Sequence, residues 1–519
     1  MITEEQFASI KDEAIDKSIF FLDKNPAVSE VILKQLLKCD PENLSGLQLL
    51  GLAKHRMGKN IEAIEIFQTA LDIDPHNSDN MNNIALAYGD LEKYERAIEY
   101  AEKAVNLSPE KFLFRNNLAL HYRCVKRHED AIRTLETSIK KAGKNSPEAA
   151  QIWNNLGGVY SELGQIEKSI ECFNKGLECD PAYPAGHVSL SFAYQLLGDL
   201  EKGFEEYEWR KEYFSQMQYY KKSYDQTKLW DGKKDLSGKK VLIYAEQGLG
   251  DAIQFMRYIP ELKSRGAYVM VHCSNALSSL FGRLDCIDQV VHRDIVNNKG
   301  EEFPEYDFQL CMMSLPLLLN QFKPSGKPYI EAVTGSFRDH IEEEYGKDTK
   351  KIGIVWAGSP AHPYDQFRSI PLKHFKCLQS DDVKLFSLQL DKRPRSYSHS
   401  KDQRVIIESK HVDYMEDCED MQLVDLSNMI QSMEDTCTII AGLDLVISCD
   451  TSVVHLAGAM GVPCYLCITK NPDWRWKTEG DETDWYDSVK IFRQEQSGNW
   501  ETVFENIEKE LNENFLQNK

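Results

Sequence analysis

Several features that mark common classes of protein are missing from this 519-residue chain. No apolar run approaches the roughly 20 residues that a membrane-spanning helix needs. The first residues, MITEEQFASIKDE, have no basic segment followed by an apolar one, so we expect no secretory signal. Basic residues are scarce: 61 Lys and Arg against 82 Asp and Glu give a formal net charge of −21. This deficit argues against a general binder of nucleic acid or anionic membranes, because both need a basic surface.

The 13 cysteines lack the regular spacing of a disulfide framework. Cys464 and Cys467 have a spacing known from redox and zinc motifs. They lie in an apolar strand predicted at 463–468, however, and no second pair completes a metal site. We therefore expect reduced structural thiols, no bound metal and a cytoplasmic location.

A 34-residue period runs through the first half of the chain. One copy carries Leu50, Gly51, Phe67 and Pro75, and the next carries Ile84, Ala85, Ala101 and Pro109. Three further copies follow, with a short insertion near 143–145. The pattern resembles the tetratricopeptide repeat, in which each unit is a pair of helices that cross at small residues. The period predicts a solenoid of such units over residues 42–210, with residues 1–41 as a divergent first unit or cap.

Paired asparagines recur at one position of successive repeats. They are Asn82 and Asn83, Asn116 and Asn117, and Asn154 and Asn155. An asparagine amide can bond both the C=O and the N–H of an extended peptide, so the pairs are candidate peptide-binding residues. Alternatively, they tie each helix to its neighbour. The array also resembles that of O-linked N-acetylglucosamine transferase, whose asparagine ladder holds the substrate backbone, and this resemblance favours peptide binding.

The second half alternates strands and helices, which is typical of α/β domains. After a connector at 211–238, an apolar strand leads through a glycine loop, EQGLGD at 246–251, into a helix. Such a loop presents backbone N–H groups at the carboxyl edge of a sheet, where anionic ligands bind. A second α/β block begins near residue 350. It continues with predicted helices at 371–379 and 451–460, and a last helix with an apolar face covers 499–519.

Five motifs occur in order: EQGLGD at 246–251, WAGSP at 356–360, RSIP at 368–371, DTSVVHLAG at 450–458 and PDWRW at 472–476. Together they resemble the heptosyltransferase-related (family 9-like) glycosyltransferases of the GT-B fold, in the bacterial subgroup with tetratricopeptide repeats in front. The resemblance implies two facing Rossmann-like halves, 239–345 on the acceptor side and 350–498 on the nucleotide-sugar side. It also implies that the final helix crosses back to the first half, and that neither metal nor another cofactor is needed.

The resemblance assigns roles residue by residue. Asp251 matches the proposed catalytic base, although a carboxylate at this position could simply stabilise the start of a helix. Arg368 is the candidate diphosphate clamp, with an ordinary surface arginine as the alternative. His455 is a candidate cation or donor, with a buried histidine in a capped helix as the alternative. Asp450 is assigned to sugar hydroxyls or to helix capping. The other predicted donor-binding residues are Gly358, Ser359, Thr451 and Ser452, and the predicted cleft residues are Gln247, Gly248, Gly250, Trp474 and Arg475. Trp474 and Arg475 could equally well belong to the core.

The resemblance, together with the repeats, therefore implies a metal-independent glycosyltransferase that uses a nucleotide sugar and modifies a polypeptide acceptor held by the repeats. Its expected partners are the nucleotide sugar and an acceptor or partner protein, without nucleic acid or a membrane span. Two alternatives stay open. One is a saccharide-assembling transferase that uses the repeats only for docking, and the other is a non-catalytic, peptide-binding scaffold.

Overall fold

The computed structural model describes residues 4–142, 146–214, 225–292, 304–332, 336–359, 365–390, 396–397, 406–407 and 421–517. The chain divides into two compact units, residues 1–190 and 191–519. The insertion at 143–145, residues 215–224 of the predicted connector and Pro360 of the WAGSP motif lie outside the described residues. Within the described part of the chain, no helix combines the length and apolar character needed to cross a bilayer.

The helices before residue 208 form consecutive pairs, as the period predicts. The pairs are α1 (Glu4–Leu22) and α2 (Pro26–Cys39), α3 (Leu44–Arg56) and α4 (Asn60–Ile73), α5 (Ser78–Asp90) and α6 (Tyr94–Leu107), α7 (Phe112–Cys124) and α8 (His128–Ala142), α9 (Pro147–Glu162) and α10 (Ile166–Cys179), and α11 (Pro184–Leu196) and α12 (Leu200–Tyr207). The residues predicted to form a divergent first unit or cap therefore hold α1 and α2.

Small residues allow the two helices of a pair to approach closely. Gly51 lies against the ring of Phe67, and Gly157 lies against the ring of Phe173 in the same way. A side chain at either glycine would clash with the aromatic ring. The repeated contact explains why a small residue recurs at this position of the period.

The second unit contains two parallel sheets. The first has the order β3-β2-β1-β4 and the second has the order β12-β11-β10-β5-β6-β9. Their strands are β1 (Lys240–Tyr244), β2 (Tyr268–Cys273), β3 (Gln289–His292), β4 (Phe308–Cys311), β5 (Lys350–Val355), β6 (Val383–Ser387), β9 (Leu423–Asp425), β10 (Leu445–Cys449), β11 (Cys464–Ile468) and β12 (Val489–Arg493). A two-residue antiparallel pair, β7 (Ser396–Tyr397) and β8 (Ile406–Ile407), stands apart from both.

The strand order reverses beside β1 in the first sheet and between β5 and β10 in the second. Ligands of open α/β sheets bind at such switch points, outside the carboxyl ends of the strands. The glycine loop follows β1, the WAGSP motif follows β5, and DTSVVHLAG follows β10. Three of the five motifs therefore lie at switch points.

Besides α12, further helices in the described part of the second unit flank these strands. They are Arg210–Tyr213, Leu249–Phe255, Ile259–Ser264, Asn275–Gly282, Leu315–Leu319, Ser336–Tyr345, Asp365–Arg368, Met433–Ala441, Ser452–Met460 and Glu501–Glu510. The segment predicted as a helix at 371–379 is a 3₁₀ helix, Leu372–Leu378, which begins after Pro371. β9 and β12 were not predicted from the sequence.

The last helix does not make the contacts predicted for it. Its apolar side chains Val503, Phe504 and Ile507 lie in the core of the second sheet. The ring of Phe504 meets that of Phe375 with centroids 4.7 Å apart. The prediction that this helix crosses back to the first half is therefore wrong, because its apolar face is already covered within the second half.

The last helix pair, α11 and α12, lies at the division between the two units. That division falls between residues 190 and 191, inside α11, whereas the predicted bounds of the repeats run to residue 210. On α12, the ring of Phe204 packs edge-on against Phe255 and Trp474, with centroids 5.9 and 6.0 Å away. The apolar face that would meet a following repeat instead meets the α/β core.

Candidate functional site at the edges of two parallel sheets

The side chain of Asp251, the last residue of the glycine loop, bonds the backbone of the loop itself. Asp251 Oδ2 accepts a hydrogen bond of 2.9 Å from the Gly248 N–H at the start of the helix Leu249–Phe255. This is the helix-start role that the sequence analysis kept as the alternative for Asp251. The loop also contains Gln247, whose φ of +66° lies in the left-handed region that favours glycine.

Arg475 of the PDWRW motif connects the two halves. Its Nη2 donates to Asp251 Oδ1, its Nε donates to Gln254 Oε1, and its Nη1 donates to Asp473 Oδ1 at 2.8 Å. Burial opposes the charge of this guanidinium, but the carboxylates of Asp473 and Asp251 outweigh it and raise the pKa of Arg475. Trp474 is buried, with the guanidinium of Arg475 4.4 Å from its ring centroid. Arg475 therefore pairs with a carboxylate of the first half, and Trp474 packs beneath its guanidinium.

The glycine loop also touches the helix Ser452–Met460 of the second half. Thr451 caps this helix, since its Oγ1 accepts a hydrogen bond of 3.4 Å from the Val453 N–H. A Cβ added to Gly250 would lie 2.7 Å from His455 Cδ2 and 3.5 Å from Ser452 Cα. Only a residue without a side chain allows this approach, so Gly250 brings the carboxyl edges of the two sheets into contact.

His455, predicted to be a cation or donor or else a buried histidine, is buried among aromatic side chains. Its Nδ1 lies 2.9 Å from the Tyr486 hydroxyl, and its ring stacks on Trp476 at a centroid distance of 5.4 Å. Burial lowers the pKa of His455 well below its usual value, and Arg475 and Arg257 add to the effect. These surroundings therefore favour the neutral ring over the charged one.

Arg368 lies at the switch point of the second sheet. Its Nη1 donates to the Asp450 carbonyl at 3.0 Å, and its Nε donates to Asp365 Oδ1 at 3.3 Å. The guanidinium also lies against Gly358, and Ser359 beside it is exposed. The structure thus brings the predicted clamp together with Gly358 and Asp450.

Asp450 has an unusual environment for a carboxylate. Burial, and next the nearby Asp473 carboxylate, raise the pKa of Asp450 to about 6, while Arg368 and Arg475 oppose the shift. Helix capping, one of the two roles predicted for Asp450, falls to Thr451. The pKa of Asp450 is therefore held above the usual range of an aspartate although two arginines oppose the shift.

Sequence reasoning missed residues that hold the site in place. Arg257 lies over the rings of Tyr329, Trp485 and Tyr486, between 4.7 and 5.1 Å from their centroids. Tyr207 of α12 accepts a hydrogen bond of 2.6 Å from Gln247 Nε2. Arg257 and Tyr207 lie outside the five motifs, so no motif signal pointed to them.

The asparagines of the first unit bond to one another. Asn117 Nδ2 donates to Asn82 Oδ1 at 2.9 Å, and Asn155 Nδ2 donates to Asn116 Oδ1. Each bond joins one repeat to the next, which is the tying role that the sequence analysis left open. Asn83 and Asn154 are half-buried neighbours of these pairs.

Comparisons with known proteins support the repeats. The tetratricopeptide repeat family matches residues 43–110 and 113–182. The helix pairs from α3 to α10 are therefore tetratricopeptide repeats. Protein FlbA of Caulobacter vibrioides is 23% identical over 425 residues, which cover 70% of this chain and 67% of FlbA. That share is larger than the part of the chain before residue 211, so the similarity extends into the α/β portion.

Solved structures similar to this chain include two further proteins. MamA, residues 41 to the end, from Desulfovibrio magneticus RS-1 aligns with 35% of this chain and 97% of that one, at 20% identity and a TM-score of 0.28. Pseudomonas aeruginosa pilF aligns with 42% of this chain and 99% of that one, at 17% identity and a TM-score of 0.34.

Proposed function

We propose that this chain is a nucleotide-sugar-dependent glycosyltransferase of GT-B type, whose tetratricopeptide repeats hold a polypeptide acceptor. One observation carries the proposal: the carboxyl edges of two parallel sheets meet at their switch points. Gly250 lies against His455 and Ser452 there, and Arg475 pairs with Asp251. A substrate bound at this junction would touch both halves, as transfer between a donor and an acceptor requires.

The donor side would use Arg368 and the start of the helix Ser452–Met460. A guanidinium and the N–H groups of a first helical turn both suit a diphosphate. His455 is neutral, so we assign its part to packing and not to charge. Exposed apolar side chains follow three neighbouring strands of the second sheet and would cover the base of a nucleotide: Phe367 after β5, Leu390 after β6 and Met429 after β9.

The acceptor side would use one of two carboxylates as the base. An acceptor hydroxyl oxygen attacks the anomeric carbon, the bond from that carbon to the diphosphate oxygen breaks, and the hydroxyl proton passes to the carboxylate. Each oxygen of Asp251 already accepts one hydrogen bond, but each also has a second lone pair. Asp450 is the other candidate, because a base works best when its pKa is near the operating pH.

A non-catalytic, peptide-binding scaffold is the second candidate function. It is favoured by the hydrogen bonds that Asp251 accepts from both Gly248 and Arg475, because such bonding is typical of a structural carboxylate. The repeats serve a protein-interaction role under either function.

Release of sugar from labelled nucleotide sugars separates the two functions. The transferase predicts slow donor hydrolysis by the full chain, strongly reduced by Arg368→Ala and unchanged by the control Arg265→Ala. Arg265 is an exposed arginine of the first half that pairs with Glu261. Asp251→Asn and Asp450→Asn then identify the base, since only loss of the base abolishes transfer while donor binding remains. If no nucleotide sugar is bound or hydrolysed, the transferase function is refuted and the scaffold function is supported.

A further inference from the structure

The glycine loop is held in a strained conformation. Gln247 has a φ of +66°, although it carries a side chain. The left-handed region is unfavourable for a residue with a Cβ, so a neighbouring contact must hold Gln247 there. The residue that follows is Gly248, whose N–H bonds Asp251.

The last repeat helix supplies that contact. The side-chain Nε2 of Gln247 donates to the Tyr207 hydroxyl at 2.6 Å. Tyr207 ends α12 and is 3% exposed. Its ring packs against Phe192 at 5.5 Å, and the Arg210 guanidinium lies 5.0 Å from its centroid. The hydroxyl is therefore a fixed anchor.

A second hydrogen-bonded contact holds Glu246, one residue earlier in the loop. Glu246 Oε1 accepts hydrogen bonds from Arg210 Nη2 at 2.8 Å and from the Met313 N–H at 3.1 Å, and Oε2 accepts one from the Met312 N–H at 2.9 Å. Glu246 and Arg210 are both fully buried side chains. Arg210 Nη1 also donates to Glu208 Oε1 at 2.7 Å. Loop residues 246 and 247 are thus each bonded to the end of the last repeat.

We propose that Tyr207 and Arg210 are positioning residues that hold the glycine loop in the conformation that places Gly250 and Asp251 at the sheet junction. The end of the repeat array then sets the geometry of the site. The inference rests on the proposed function only in treating this loop as part of a ligand site.

Hydrogen exchange of the Gly248 and Ala252 amides in the full chain tests the proposal. Both are hydrogen-bonded, Gly248 to Asp251 and Ala252 to the Gly248 carbonyl. Tyr207→Phe removes only the hydroxyl and should speed their exchange about five- to tenfold, the factor that one net hydrogen bond represents. The control Tyr194→Phe, on α11, should leave both rates unchanged.

Substitution of Gln247 separates positioning from general packing. Both variants lose the hydrogen bond to Tyr207. Gln247→Ala must still adopt a strained positive φ, whereas Gln247→Gly adopts the same φ without strain. We therefore expect faster exchange in Gln247→Ala than in Gln247→Gly, although glycine is ordinarily the more flexible residue. Adding Gln247→Gly to Tyr207→Phe should also restore part of the protection.

The proposal is overturned if Tyr207→Phe exchanges like the wild type, or if Gln247→Ala is as protected as Gln247→Gly. These measurements need no ligand, so the two proposals can fail separately. If the exchange pattern holds but no nucleoside diphosphate binds, the proposed function fails and the positioning role stands. Tyr207→Phe leaves the buried Arg210 pair intact, so the test does not depend on a variant that fails to fold.

Discussion

Replacing Gly250 by alanine should push the glycine loop away from the helix Ser452–Met460. The new Cβ would lie 2.7 Å from His455 Cδ2 and 3.3 Å from its Nε2. His455 cannot rotate away, because its Nδ1 pairs with the Tyr486 hydroxyl and its ring stacks on Trp476. The backbone of Ser452, 3.5 Å away, blocks movement in another direction.

The size of the effect follows from two opposing terms. Overpacking a close contact costs about 1–3 kcal/mol. Alanine in place of glycine within a helix returns about 0.5–1 kcal/mol, and Gly250 lies in the helix Leu249–Phe255. With the midpoints of the two ranges, about 2 and about 0.75 kcal/mol, we expect Gly250→Ala to lower the stability of the second unit by about 1 kcal/mol.

Chemical denaturation followed by tryptophan fluorescence is a suitable assay, because Trp476 stacks on His455. Gly282→Ala is the matched control. Its Cβ would meet only Val290 Cγ2, at 3.8 Å, so this substitution should be neutral or slightly stabilising. In a His455→Ala background, Gly250→Ala should cost less than in the wild type. Equal stability of Gly250→Ala and the wild type would refute the close contact.

Three other predictions concern pH and the repeats. The raised pKa of Asp450, about 6, means that charging it costs more in the folded state, so stability should fall as the pH rises from about 4 through 6. Thermal denaturation of Asp450→Asn should lack this component, and an unchanged profile would contradict it. The lowered pKa of His455 predicts that its ring stays neutral in NMR titrations between about pH 6 and 8, whereas a protonation step there would contradict its burial. Asn117→Ala should destabilise the first unit by about 1–3 kcal/mol because it leaves Asn82 Oδ1 unpaired, while Asn83→Ala should stay within about 0.5 kcal/mol in the same denaturation assay. Equal costs for these two variants would rule out the tie between repeats.

The sequence predicted the elements with strong local signals. The repeats were predictable because Gly51 and its equivalents recur with the period. β1 and β10 were predictable because each is a continuous apolar run that ends at a polar loop. β9 has only three residues, and β12 is short and interrupted by a lysine, so neither carried a clear signal.

Contacts between distant residues could not be predicted. Arg475 and Asp251 are 224 residues apart, and nothing in either motif specifies their pairing. The neutral state of His455 depends on Tyr486 and Trp476, which come from other segments. The apolar face of α12 has the same sequence pattern whether it covers another repeat or the α/β core, so its contacts with Phe255 and Trp474 could not be predicted.

Calorimetric titration of the full chain with nucleoside diphosphates is the most direct test of the central claim, that the joined sheet edges bind an activated sugar through its diphosphate. We predict one saturable site for at least one of UDP, GDP and ADP, weakened about tenfold or more by Arg368→Ala and unchanged by Arg265→Ala. Binding of none of them, or equal affinity in Arg368→Ala and the wild type, would contradict the account.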